Sequence, residues 1–206
     1  MISLVLGGLT GLALALAAPS LSAATDPDFP CVQVLVPRLS PGQIWSGPPI
    51  DAIDPDAWKA DPEVARLVGM AADRQLPTPD LLKEVERFAA AIRSEAGTDA
   101  EARLTLLFSG IFETLQTRRS AAIEAVHRYA RSQRALLDRI AGHLRTLEAL
   151  PPDDPEHARL TEALHWDRRI LDDRRRLLPT LCETPGEIER RLGAVARILA
   201  AQLEIR

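Results

Sequence analysis

From Asp99 to Leu150 the sequence contains no proline and no cluster of turn residues. Apolar side chains recur through that stretch every three or four positions, among them Leu104, Phe108, Ile111, Leu115, Val126, Ile140 and Leu147. This spacing is that of one helix face. Unbroken, such a helix would be about 78 Å long at 1.5 Å per residue. A rod of that length needs a second long element to cover its stripe, so the chain must fold around an αα-hairpin. Gly110 and Thr117 are the positions at which the rod could be interrupted, Gly142 less so.

The rest of the mature chain reads the same way. Asp61-Pro62-Glu63 is an N-cap, a proline at the first helical position and an acid in the first turn. Thr78-Pro79-Asp80 repeats the device, Gly97 is placed to end that helix, and Thr98 to Glu101 forms a capping box for the long one. Pro151 to Pro155 is a turn with Asp154 as the next cap. A fourth helix is expected from there to about Cys182, kinked or cut short by Pro179. Thr184-Pro-Gly-Glu187 reads as the capping box of a fifth. Aromatic residues are only 4% of the chain, and Ala, Leu and Arg dominate, which disfavours a β reading. The expected fold is all-α: about five helices including a long hairpin. Residues 61–206 form the bundle, with a coiled-coil-like hairpin over about 118–182. Positions 123 to 147 fit four heptads, with Ile123, Ala130, Leu137 and Leu144 at a and Val126, Gln133, Ile140 and Leu147 at d.

Residues 1–24 read as a signal peptide. They carry no charged side chain, run apolar from Leu4 to Ala18, and end with Ser22 and Ala24 at the −3 and −1 positions of a cleavage site. An uncleaved anchor is the competing reading. Export would put the two remaining cysteines, Cys31 and Cys182, in an oxidising compartment, where one intramolecular disulfide is available to them. That bond would tie residues 25–60, an extended proline-rich arm, to the junction of the last two helices. Within the arm, Cys31 to Val36 reads as extended chain packed on helices, anchored by Trp45 and Trp58. Pro37 to Pro41 has polyproline-ligand spacing but is read as packing. The expected location is periplasmic or secreted.

Residues 25–117 hold 15 acidic and 8 basic side chains, residues 118–206 14 and 17. So small a basic excess, all of it arginine, does not argue for nucleic acid. No nucleophile elbow, no Cys–His pair and no glycine-rich phosphate loop occurs, so no catalysis, cofactor or small-molecule substrate is expected. Glu124-x-x-His127 and Glu162-x-x-His165 resemble half of a di-iron bundle motif. A hairpin turning near residue 153 would set His127 and His165 about 20 Å apart along the axis, too far to share metals. The same register brings His143 opposite Glu162, with His165 a turn away, and a surface zinc or copper site there is the alternative reading.

Arg168, Arg169, Arg174, Arg175 and Arg176 alternate with Asp172 and Asp173. Such a cluster either laces the helix with ion pairs or docks an anionic partner, a lipid head group or acidic protein surface. Asp167 and Arg174 interrupt the seam of the fourth helix, which suggests imperfect packing or a face offered to another molecule. The function expected is that of an exported helical binding or scaffold protein of the cell envelope, partnered by another envelope protein or by itself.

Overall fold

The computed structural model describes residue 26, residues 28–95 and residues 99–204; the leader, Gly97 and Thr98 lie outside them. The described residues are helical with no strand: α1 (Pro62–Ala72), α2 (Thr78–Ser94), α3 (Ala100–Ala149) and α4 (Pro155–Glu204). Two short 3₁₀ turns, Pro41–Gln43 and Ala57–Ala60, interrupt an otherwise irregular arm.

Caps start three of the four helices as charge and geometry dictate. Asp61 accepts from the amides of Glu63 and Val64 at 3.1 and 3.2 Å, and its carboxylate is also held by Arg103 from α3. Asp99 accepts from Ala102 at 2.9 Å, and Asp154 from Glu156 at 2.8 Å. At α2 the expected cap is absent. Thr78 is already helical and its hydroxyl accepts instead from Arg191 at 3.3 Å.

The helix count is four, not five, because α4 runs through both Pro179 and Pro185 as one helix of 50 residues. Thr184 does not open a new helix; its hydroxyl donates back to the Thr180 carbonyl at 2.9 Å. An interior proline costs a helix about 3 kcal/mol and one hydrogen bond. Beyond the prolines, however, Leu192, Val195, Ala196 and Leu199 are fully buried in the main core. Burying each larger aliphatic side chain is worth about 1.5–3 kcal/mol, so packing outweighs the local penalty.

α3 is likewise continuous over 50 residues. Gly110 does not break it. A Cβ there would lie 2.7 Å from Trp58 and 2.8 Å from Val68, so the glycine makes room for the arm to seat its tryptophan. Trp45, the other anchor, stacks on Phe108 at 4.2 Å between ring centroids and donates to the Pro48 carbonyl at 2.8 Å.

Two apolar clusters result. The larger joins α1, α2, the first half of α3 and the last turns of α4, around Leu67, Leu107, Phe108, Ile111, Leu192 and Leu199. The smaller lies out along the hairpin and contains Leu136, Ile140, Leu164 and Leu171. In it the heptad assignment holds at the d positions Ile140 and Leu147 and fails at the a positions. Leu137 and Leu144 are 43% and 38% exposed, while Leu136 is buried and His143 half-buried. Leu136, Ile140, His143 and Leu147, at spacings of four, three and four, form the inward stripe of α3 here, so that Leu136 and His143 stand one residue before the assigned a positions.

The disulfide Cys31–Cys182 is present, with Cα atoms 5.5 Å apart. It holds the arm on α4 between the two prolines, not at a helix junction, and Gln33 donates to the Cys182 carbonyl beside it. The arm runs antiparallel to α3. Asp28 pairs with Arg134, Asp26 and Phe29 flank His127, the Val36 carbonyl meets Arg119, and the Leu39 amide meets Gln116. The Cys31–Val36 stretch does not pack as expected, since Val32, Val34 and Val36 all face outward.

Candidate functional site

The hairpin arms pack through mixed apolar and polar contacts. Where Asp167 enters the seam, Arg139 of α3 reaches it with two hydrogen bonds, at 2.9 and 2.5 Å. The side-chain hydrogen bond from Arg139 holds the Asp167 carboxyl below the usual aspartate range, against burial, which raises it. His143 Nδ1 lies 3.7 Å from the same carboxylate. One step towards the base, Arg174 donates to the Ser132 carbonyl and hydroxyl at 3.1 and 3.3 Å. The two seam-breaking residues are thus cross-hairpin locks. They fix the register with residue 139 opposite 167 and 132 opposite 174.

That register is the one anticipated, yet it does not bring the candidate metal ligands together. Leu160, Leu164, Asp167 and Leu171 are the buried positions of α4 along the hairpin, so Glu162 and His165 point away from the seam into which His143 turns. Among the described residues no group of three His, Cys, Asp or Glu side chains is placed to hold a metal ion. His127 is separate again, half-buried beneath Asp26 and Phe29 of the arm, with Asp26 at 3.4 Å and Glu124 at 3.6 Å.

The arginine cluster divides by role. Arg174 belongs to the hairpin seam. Arg175 and Arg176 sit 3.7 and 3.5 Å from Asp172 and Asp173, ion pairs within one turn and largely in solvent. Pairs of that kind contribute little to stability. Arg168 and Arg169 are exposed, and the Arg169 guanidinium lies 5.9 Å from the centroid of the Trp166 ring. With His165, Asp172, Asp173 and Arg176 they border a shallow depression of about 460 Å³.

Sequence reasoning did not single out the feature that gives this face its character. Trp166 is 53% and Leu177 59% exposed, with Ile170 between them also in solvent. Spacings of four and seven put all three on one side of α4. The signal was present in the sequence, because these positions fall outside the stripe that Leu160, Leu164 and Leu171 define. Arg119, Arg118 and Arg190 also escaped notice; the first is a buried hub, the other two line a cleft at the foot of the hairpin.

No described helix is long and apolar enough to cross a membrane. Compared with protein-family models, with curated proteins and with solved structures, the chain finds no match.

Proposed function

We propose that this chain is an exported, non-catalytic binding protein of the cell envelope, and that the outer face of α4 on the hairpin is its contact surface. The observation that carries the reading is the Trp166–Ile170–Leu177 stripe, apolar and exposed on a long helical arm and bordered by Arg168, Arg169 and Arg176. Tryptophan and arginine are the residues that most often dominate protein–protein binding energy. Helix-borne apolar positions at such spacings are also what a groove on another protein reads. The partner that fits is therefore a protein with an apolar groove and an acidic rim. The uncharged apolar leader and the disulfide favour an oxidising compartment outside the cytoplasm.

A photo-crosslinking residue placed at position 170, in cells expressing the full chain at native level, tests this. One discrete protein adduct is expected in the envelope fraction, absent when Trp166→Asp is added and absent when the crosslinker sits at position 145 on the other arm. The reading fails if position 170 captures nothing that position 145 does not. Recovery of the native chain in the cytoplasm with its leader intact and both thiols alkylatable would remove the envelope assignment.

A further inference from the structure

At the foot of the hairpin, the α1–α2 loop and the facing walls of α3 and α4 border a half-open cleft of about 940 Å³. That volume is within the range of small-molecule sites, about 300–1,000 Å³. Its floor is apolar and narrow-chained: Ala121, Ala122 and Ala125 from α3, Leu181 and Ile188 from α4, and Leu76 from the loop. Its rim carries four cations, Arg74, Arg118, Arg190 and Arg191, against two acids, Asp73 and Glu187.

The four arginines are not equivalent. Arg191 is committed to the fold, its guanidinium donating to the carbonyls of Met70, Ala71, Asp73 and Leu76 at 2.8–3.2 Å. Burial lowers its pKa, Asp73 opposes that shift, and Arg118 adds to it, so a second cation stands close by in spite of the repulsion. Arg74, Arg118 and Arg190 have no hydrogen bond or ion pair among the described residues. The Arg119–Glu189 bond at 2.6 Å sets α3 and α4 in register, which puts positions 118 and 190 at the same level on facing helices. Of the three hydroxyls that line the cleft two are engaged, Thr78 with Arg191 and Thr184 with the Thr180 carbonyl, which leaves Thr180 to serve a neutral ligand against four cations.

We propose that this cleft binds a single-chain amphiphile with a phosphate-monoester head, the head held between Arg118 and Arg190 and the alkyl chain laid along the alanine floor. Guanidinium forks match phosphate oxygens two at a time. A phosphate monoester carries about −1.5 to −2 charges at neutral pH, which balances four cations against two acids. The site is independent of the α4 contact face, so neither claim rests on the other.

Calorimetric titration of the purified, disulfide-bonded full chain with monododecyl phosphate below its micelle concentration tests the assignment. One molecule per chain is expected. Arg118→Gln with Arg190→Gln should weaken it by about 10-fold or more, the loss of one charge-assisted contact or more. Ala122→Trp, which fills the floor, should abolish it, whereas Arg128→Gln with Arg131→Gln, exposed on α3 outside the cleft, should leave it within about 2-fold. Circular dichroism establishes that each variant keeps its helix content; a variant that does not is replaced by Arg118→Lys with Arg190→Lys, which keeps the charge and removes the fork. The proposal is overturned if the wild-type chain does not bind dodecyl phosphate, if the glutamine pair binds it unchanged, or if inorganic phosphate binds as tightly as the dodecyl ester.

Discussion

Arg119 joins three segments that are distant in sequence. Only 3% exposed, it reaches Glu189 on α4 at 2.6 Å and the Val36 carbonyl on the arm at 2.6 Å, with the Pro37 carbonyl at 3.4 Å. Removing it would leave a half-exposed carboxylate and a backbone acceptor without their shared donor. Arg119→Ala is expected to lower unfolding free energy by about 2–3 kcal/mol in chemical denaturation, discounted from the cost of breaking a wholly buried pair because Glu189 is partly in solvent. Gly110 makes the opposite point about a small residue. On helix propensity alone, Gly110→Ala should stabilise by about 0.5–1 kcal/mol. The added methyl would meet Trp58 and Val68 at under 3 Å, so the variant is instead expected to melt lower, destabilised by about 2 kcal/mol as overpacked cores are. A higher melting temperature would show that Trp58 gives way.

At the scale of elements, helix starts were legible because each is written in a few adjacent residues: Asp61, Asp99 and Asp154 or their immediate neighbours announce them. Whether α4 continues through Pro179 and Pro185 was not. That depends on how deeply Leu192, Val195 and Leu199 are buried, which only the assembled core decides. The hairpin register could be worked out from where the turn falls, but which side of each helix faces inward could not. Leu136 and Leu137 are equally apolar, and only the partner helix chooses between them. The same ambiguity made Glu162 and His165 look like ligands for His143, and it concealed the Trp166 stripe. Asp167 shows what the seam gains from a charge. Because Arg139 depresses its pKa, the folded-state value lies below the unfolded one, about 3.9. The contribution is therefore complete above about pH 4 and disappears as pH falls through the lower, folded value. Asp167→Asn should thus lower the urea midpoint at about pH 6 and converge with the wild type as the pH drops below about 4, and parallel curves would contradict it.

Among the described residues the molecule has two apolar clusters and one crosslink, and that crosslink closes a loop of 151 residues in sequence separation. The chain-entropy treatment values such a closure at up to about 5 kcal/mol. Cys31→Ser with Cys182→Ser is expected to lose a few kcal/mol of stability in denaturant, and to expose residues 31–37 to proteolysis before the helices are cut. Simultaneous digestion of arm and hairpin would show that the arm is no separate unit. The pairing itself was legible from two cysteines and an apolar N-terminal segment that reads as an export signal; its position amid an uninterrupted helix was not, for the reason given by the prolines.

The inward stripe of the hairpin restricts how its length can vary. Each residue inserted into one arm turns everything beyond it by about 100°, so a lone insertion would swing Arg139 off Asp167 and expose what is covered. Only matched changes close to a whole number of turns, about 7 or 11 residues per arm, return every contact to within about 20° of its mate. Shorter or longer versions of this hairpin are therefore expected to come in discrete sizes, the steps moving the tip by roughly 10 or 16 Å while the base stays as it is.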